Sequence, residues 1–110
     1  MNNKLVLIIT LVFVFSFFIT SCTGEKDIDE LAACLTEKGA KLYGTEWCSH
    51  CQAQKTAFGS SFDKVDFVDC DLQRAECIEA GISGYPTWKI DGKNYPGQQE
   101  MDKLASLSGC

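Results

Sequence analysis

Two cysteines, Cys48 and Cys51, stand two residues apart, with Trp47 before them and His50 between them. This spacing suits three kinds of chemistry: half of a metal site, a structural disulfide, or a pair of thiols that exchanges electrons. A zinc site needs two more ligands, and the sequence contains neither a second CxxC nor a His pair at zinc-finger spacing. A purely structural bridge would have no need of the flanking Trp and His. The pattern therefore favours a redox-active pair and no metal.

The pair falls where a predicted strand, residues 40–47, runs into a predicted helix, residues 48–58. Cys48 would then lie at the helix N-terminus, where free backbone N–H groups and the positive end of the helix dipole favour a thiolate. Cys51, one turn further in, is suited to resolve a mixed disulfide formed by Cys48. His50 could donate a hydrogen bond or lend positive charge to that thiolate, which would make the disulfide more oxidising. The alternative is a solvated His50 without a role.

The rest of the chain predicts an α/β domain with the order α, β, α, β, α, β, β, α. Such an order implies a mixed sheet covered by helices on both faces. On the helix that follows Cys48, Cys51 and Phe58 are predicted to share one side, whereas Gln52, Gln54 and Lys55 are polar. The predicted elements are a helix capped by Asp27 and ended by Gly39, strands at 40–47 and 63–71, helices at 48–58 and 72–82, a hairpin at 86–97 that turns at Asp91-Gly92, and a helix at 98–109.

A second motif, "GISGYPTWKI", lies further along the chain and contains Tyr85 and Pro86. A Gly-aromatic-Pro-Thr before a strand resembles the loop whose cis-proline faces the CxxC in thioredoxin-like proteins; the alternative is an ordinary trans proline that opens a strand. Together, "WCSHC" and "GYPT" are similar to the motifs of the thioredoxin superfamily, and the resemblance covers about residues 27–110. It implies a thioredoxin-like fold with a central four-stranded mixed sheet. It also implies that Trp47 and Tyr85 help to dock substrate.

The finer sequence, from "CLTEKGAKLYGTEWCSHCQAQKTAFG" to "LASLSG", resembles the thioredoxin-like domain fused to bacterial and plant vitamin K epoxide reductase homologues. That resemblance implies a domain outside the membrane that oxidises substrate proteins. It exchanges disulfides with an integral-membrane partner, which passes the electrons to quinone. Carried over by position, Cys48 is the exposed nucleophile, Cys51 the resolving thiol and Pro86 the cis-proline. No cofactor is expected beyond the Cys48–Cys51 disulfide.

Two departures from the family pattern matter. No four-helix membrane domain accompanies the motifs, so the membrane partner is expected to be a separate polypeptide. Thioredoxins proper also place a buried Asp and a Lys near the resolving thiol, where this sequence has Leu42 and Phe67. Without them, deprotonation of Cys51 should be harder, which disfavours a thioredoxin-like reductase.

Seven cysteines are many for 110 residues, and six remain if Cys22 carries lipid. An even number outside the cytoplasm favours disulfides. The family resemblance implies a structural bridge between Cys70 and Cys77; the alternative is two separate core cysteines. Cys34 and Cys110 could form a second bridge, but their helices normally lie on opposite faces of such a sheet. Otherwise Cys34 is a small buried apolar residue and Cys110 a free thiol.

The N-terminal segment has the pattern of a secretory signal, with Lys4 before an apolar run at 5–19. The following Ile-Thr-Ser-Cys22 resembles the lipobox of bacterial lipoproteins; the alternative is an uncleaved signal anchor. We therefore expect a signal peptide at 1–21, a tether at 22–26 and the thioredoxin-like domain at 27–110. The domain is expected in the periplasm or cell envelope, held at the membrane by lipid or anchor.

The net charge of the chain restricts the kinds of partner that it can bind. Dropping Lys4 from the 10 basic residues leaves 9 against 15 acidic ones, a formal charge of −6 from Cys22 onward. Such a surface argues against nucleic acid and anionic lipid headgroups as ligands. A monomer that acts on exported proteins is expected.

Three functions remain from the sequence. The leading one is a membrane-anchored thiol–disulfide oxidoreductase that introduces disulfides into exported proteins. The same chemistry run backwards would give a reductant for cytochrome c maturation or a disulfide isomerase. A non-catalytic binding module, for docking or copper handling, is the alternative from another class.

Overall fold

The computed structural model describes residues 2–4, residue 6 and residues 23–110. The predicted lipidation site Cys22 and nearly all of the predicted signal peptide lie outside the described residues. Within the described ranges, no helix combines the length and the hydropathy that crossing a membrane requires.

Helices and strands follow one another in the predicted order, with a 3-10 helix added after the second α-helix. They are α1 (Thr23–Glu37), β1 (Lys41–Gly44), α2 (Ser49–Phe58), the 3-10 helix (Gly59–Lys64), β2 (Phe67–Asp69), α3 (Arg74–Glu79), β3 (Thr87–Ile90), β4 (Lys93–Pro96) and α4 (Met101–Ser108).

The start of α1 differs from the prediction. The helix begins at Thr23, so Asp27 lies inside it and is not its N-cap. Glu25 and Lys26 have high helix propensity, which allows the helix to continue upstream of Asp27. The end is as predicted, since Gly39 follows the last turn with φ 78°.

The sheet has the strand order β2-β1-β3-β4, with β1 in the interior. Strand β1 runs parallel to β2, with Leu42 opposite Phe67, and antiparallel to β3, with Leu42 opposite Trp88. The β3–β4 hairpin turns at Asp91 and Gly92, whose φ angles of 50° and 76° are the left-handed values of a type I′ turn. The predicted mixed four-stranded sheet is confirmed.

Both faces of the sheet are covered, as predicted, but unequally. Neighbouring strand residues point to opposite faces, so Leu42 joins the larger core cluster and Tyr43 the smaller one. The smaller cluster packs under α3 through Cys77. Helices α1, α2 and α4 all cover the other face, whose core consists of Ala32, Leu35, Ala40, Leu42, Phe58, Val65, Trp88, Ile90 and Leu104.

Two disulfides link these elements. The Cys70–Cys77 bridge, implied by the family resemblance, joins the end of β2 to α3 with a Cα–Cα distance of 5.7 Å. Cys34 and Cys110 are also bonded, at a Cα–Cα distance of 6.0 Å. The expectation that their helices lie on opposite faces is therefore wrong. Helices α1 and α4 share the larger core, which brings the chain end to the side of α1.

Candidate redox site

Cys48 is the N-cap residue of α2, as the sequence predicts. Its backbone is extended, with φ −75° and ψ 119°, and its Sγ accepts a hydrogen bond from the Cys51 N–H at 3.3 Å. This N–H is one of the donors that a helix leaves free in its first turn. The residue keeps only 9% of its accessible surface. The nucleophile expected to be exposed is thus largely covered, and a reacting sulfur must reach it at one edge.

Cys51 lies behind Cys48 and is fully buried. Burial raises the pKa of its thiol to about 11, and a hydrogen bond with the Cys48 side chain acts in the same direction. A hydrogen bond from the Thr45 main chain and the positive charge of Lys55 act against this rise in pKa. At neutral pH Cys51 is therefore a protonated thiol, placed to act only after a partner has reacted with Cys48.

Cys48 and Cys51 are both free thiols, so the structure represents the reduced state of this pair. The four other described cysteines are held in disulfides and do not compete for pairing with Cys48 or Cys51. In the part of the chain that the structure describes, no three His, Cys, Asp or Glu side chains are grouped to hold a metal ion.

His50 does not make the hydrogen bond expected of it. The side chain is exposed, and among the described residues no hydrogen bond joins its imidazole to Cys48. The donor to the Cys48 sulfur is the Cys51 main chain instead. An influence of His50 through its charge stays a prediction.

The fold brings the two sequence motifs together at one exposed surface. The Tyr85–Pro86 peptide bond is cis, as the resemblance implies. Trp47, 71% exposed, contacts Tyr85 edge to face, with ring centroids 6.1 Å apart. The Trp47 Nε1 also donates to Asp71 Oδ2 at 2.8 Å, which fixes the indole. The residue before the CxxC and the residue before the cis-proline thus form one aromatic surface, and their predicted role in docking substrate stays a prediction.

The sequence pattern predicts Gln54 on the polar side of α2, and this prediction is wrong. Gln54 is fully buried beneath the site rather than on the polar side of α2. Its Oε1 accepts from Trp88 Nε1 at 3.2 Å and from Gln99 N–H at 2.8 Å, and its Nε2 donates to Gln99 O at 3.1 Å. The spacing contained a signal, because Gln54 follows Cys51 by three residues and therefore lies on the same helix face.

Lys55 and Glu46 form a second feature that the sequence analysis did not anticipate. The Lys55 Nζ lies 2.7 Å from Glu46 Oε1 and 4.2 Å from the centroid of the Phe67 ring. Phe67 occupies the position at which the resemblance to thioredoxins proper implies a lysine, so the positive charge near the resolving thiol comes from α2 instead of β2. The i, i+4 spacing of Cys51 and Lys55 on α2 is the signal that could have indicated it.

A thioredoxin-like fold, a CxxC at the first helix N-terminus after a strand and a cis-proline loop together define the class of thioredoxin-like thiol–disulfide domains. No family model matches the chain. Curated relatives exist, however. The chain is similar to thiol-disulfide oxidoreductase LTO1 of Arabidopsis thaliana, with 39% identity in an alignment 89 residues long that covers 72% of this chain and 23% of the relative.

Two proteins of Oryza sativa subsp. japonica are also similar. Protein disulfide isomerase-like 2-1 is 33% identical in an alignment 101 residues long, which covers 79% of this chain and 26% of the relative. Protein disulfide isomerase-like 2-2 is 32% identical in an alignment 103 residues long, which covers 81% of this chain and 26% of the relative. The chain thus spans about a quarter of the length of these relatives. These relatives support placing the chain in the thioredoxin superfamily, and their names support the activity of a thiol–disulfide oxidoreductase.

Proposed function

We propose that this chain is an extracytoplasmic thiol–disulfide oxidoreductase that oxidises thiols of exported proteins. The observation that carries the proposal is the division between the two sulfurs. Cys48, at a helix N-terminus, keeps 9% of its accessible surface, while Cys51, one turn behind it, is fully buried. A pair arranged in this way can form a mixed disulfide with a bulky protein at Cys48 alone.

The reaction begins from the oxidised Cys48–Cys51 disulfide. A substrate thiolate attacks Cys48 Sγ, the Cys48–Cys51 bond breaks, and Cys51 leaves with the electron pair and takes up a proton. A second substrate thiolate then attacks the substrate sulfur of the mixed disulfide and releases Cys48 as the thiolate. The substrate has lost two electrons and gained a disulfide, and the enzyme is left as the dithiol.

The properties of Cys51 support the oxidising direction. If Cys51 attacked the mixed disulfide, it would expel the substrate unoxidised. Burial raises the pKa of Cys51 and does not depend on the Cys48 thiol, so it keeps Cys51 protonated at neutral pH in the mixed disulfide and slows this return step. Leu42 is fully buried and Phe67 lies opposite it in the parallel pair, so the positions of the family's proton-transferring Asp and Lys are both apolar. A reductase, which must release substrate by Cys51 attack, would be slowed by the same features.

Reoxidation completes the proposed cycle. Two electrons pass from the Cys48–Cys51 dithiol to a disulfide of an integral-membrane partner of the vitamin K epoxide reductase type, which passes them to quinone. The sequence resemblance is the basis for naming this class of partner. The secretory pattern at residues 1–21 and the lipobox ending at Cys22 are the basis for proposing a membrane-anchored lipoprotein. Two disulfides in so short a domain are typical of an oxidising compartment.

The reduction potential of the Cys48–Cys51 pair tests whether the chain oxidises or reduces its substrates. We expect equilibration of the full chain against glutathione to give a Cys48–Cys51 potential above about −230 mV, more oxidising than thioredoxin at about −270 mV. Oxidative refolding of reduced ribonuclease should be accelerated by the wild-type chain and not by Cys48→Ala. The Cys51→Ala variant should accumulate mixed disulfides, and their isolation from cells would identify the partners. A potential below that of thioredoxin would reverse the proposed direction, and unchanged activity in both variants would exclude thiol catalysis.

Disulfide isomerisation is the second candidate, favoured by the similarity to the two isomerase-like rice proteins. An isomerase attacks an existing substrate disulfide with the Cys48 thiolate, so it works from the reduced state. Reactivation of scrambled ribonuclease by the reduced chain, faster than oxidation of reduced ribonuclease by the oxidised chain, would favour this activity.

A further inference from the structure

The Lys55–Glu46 ion pair differs from an ordinary surface pair in how little of the lysine is exposed. The Lys55 side chain is 17% exposed, whereas the Glu46 side chain is 64% exposed. Gln52 Nε2 donates to the Glu46 carbonyl oxygen at 2.6 Å, which fixes the residue that holds the lysine. The hydrogen bond from Lys55 holds the pKa of Glu46 below its ordinary range, so the carboxylate is charged at neutral pH. The ammonium is therefore held in one place by a charged partner.

That place is on the face of the Phe67 ring. The Lys55 Nζ lies over the Phe67 ring, and the edge of this ring and the Cys51 sulfur both lie against Gly44. A Cβ added to Gly44 would lie 2.7 Å from Cys51 Sγ and 3.2 Å from Phe67 Cε2. The Phe67 ring is half-buried, so a positive charge on its face acts through a region of lower dielectric constant than bulk water, where electrostatic interactions are stronger.

Few other groups can influence the charge on Cys51. Cys48 is the titratable group on the same helix turn, and it is consumed when the mixed disulfide forms. Strand β1 presents Gly44, the main chain of Thr45 follows it, and β2 presents Phe67; none of these groups titrates. Lys55 is the cation that acts on the sulfur from within the described residues.

We propose that Lys55, held in place by Glu46, is a positioning residue that sets how fast Cys51 attacks a mixed disulfide at Cys48. This inference rests on the proposed thiol–disulfide exchange. In the step concerned, Cys51 loses its proton to water and its sulfur bonds to Cys48 Sγ. The bond from Cys48 to the partner's sulfur breaks, and the partner leaves as a thiolate with the electron pair. The charge of Lys55 favours the Cys51 thiolate, and the charge of Glu46 offsets part of this effect. The ion pair thereby sets which fraction of the mixed disulfides goes on to an oxidised substrate and which fraction releases the substrate unoxidised after attack by Cys51.

The two charges predict changes of opposite sign. Lys55→Met removes the positive charge and should slow the attack by Cys51. Glu46→Gln keeps an acceptor for Lys55 and removes the negative charge, so it should accelerate the attack. A pair that merely stabilised the local fold would give slower reactions in both variants. Lys55→Arg retains the charge and should restore a rate close to wild type.

The experiment uses the reduced full chain in a Cys22→Ser background, mixed with stoichiometric dithionitrobenzoate in a stopped-flow instrument. The first release of thionitrobenzoate reports attack by Cys48, and the second reports attack by Cys51 on the mixed disulfide. Loss of the charge lowers the thiolate fraction of Cys51, but the more basic thiolate is also more nucleophilic. For a change of about one pKa unit, these two effects together make the second release in Lys55→Met about threefold slower across neutral pH. Glu46→Gln should show a second release about twofold faster.

Lys41→Met is the matched control, because Lys41 is also ion-paired, to Glu76 at 2.9 Å, but joins the face of the sheet away from the thiols. It should leave the second release unchanged. Slowing in both Lys55→Met and Glu46→Gln, or no change in either, would overturn the inference. Should Lys55→Met fail to fold, the acceleration by Glu46→Gln decides, and its absence overturns the proposal. A wild-type chain without any second release would instead refute the underlying thiol exchange.

Discussion

The sulfur of Cys51 lies directly against the main chain of Gly44, so closely that a Cβ at this glycine would be 2.7 Å from Sγ. Gly44 is the last residue of β1, and its φ is not in the left-handed region. The requirement for glycine is therefore one of space. The buried position of the resolving thiol depends on the absence of a side chain at Gly44.

Gly44→Ala should displace Cys51 and the first turn of α2. Overpacking of this kind costs about 1–3 kcal/mol, and the displaced sulfur should close the Cys48–Cys51 disulfide more slowly. Urea unfolding and the rate of disulfide closure measure the two effects. Gly24→Ala is the control, since nothing lies within 4 Å of a Cβ there, and it should be neutral or stabilising. Equal stability of the two variants would contradict the assigned packing.

The Cys51 thiol should make the stability of the reduced protein depend on alkaline pH. Its pKa is raised from 9.0 to about 11 in the folded state, so the folded state holds the proton more tightly than the unfolded state. The resulting stabilisation is present below about pH 9 and is lost as the pH rises towards about 11. Two pKa units correspond to roughly 2–3 kcal/mol.

Urea unfolding at about pH 8 and about pH 10.5 measures this loss, with Cys48 and Cys51 kept reduced and both structural disulfides intact. Lysines and tyrosines titrate in the same range, so the Cys51→Ala variant provides the reference. The wild-type chain should lose more stability than this variant between the two pH values. An equal loss would mean that Cys51 has an ordinary pKa.

Gln54→Leu should be strongly destabilising although the two side chains are of similar size. It leaves the Trp88 indole N–H and both main-chain groups of Gln99 without their partner. The buried indole N–H costs about 1–3 kcal/mol without a partner, and the half-buried Gln99 groups cost less because water can reach them, so a total of about 2–4 kcal/mol is expected. Thermal and urea unfolding should place Gln98→Leu, an exposed neighbour, near wild type. A Gln54→Leu variant as stable as the wild type would show that the polar cluster is dispensable.

Loss of the Cys34–Cys110 bridge should destabilise the fold without changing the redox pair. The bridge closes a loop with a sequence separation of 76, for which the chain-entropy estimate is up to about 4 kcal/mol. We expect Cys110→Ser to lower the free energy of unfolding towards that limit. The potential of Cys48–Cys51 should stay at the wild-type value because the bridge lies between α1 and the chain end. A changed potential would mean that the bridge communicates with the thiols.

The order of helices and strands could be predicted from the sequence because it follows from local patterns. Asp91-Gly92 turns the hairpin as predicted, since both residues tolerate positive φ. The disulfide between Cys34 and Cys110 could only be named as a possibility from the sequence, because it depends on which face of the sheet α4 covers. The spacing of Gln54 from Cys51 indicated its helix face but not its burial, because a polar side chain inside a core is explained only by partners distant in sequence, here Trp88 and Gln99.

The sequence by itself determined that a thiol pair stands at the start of a helix and that a proline loop belongs with it. Capping and turn preferences act over a few residues, so they can be inferred without the fold. Only the tertiary structure decided that Cys51 is buried against Gly44, that Lys55 lies over Phe67 beside it, and that the chain end is bonded to α1. These contacts join residues far apart in the chain, and close packing of the core selects them.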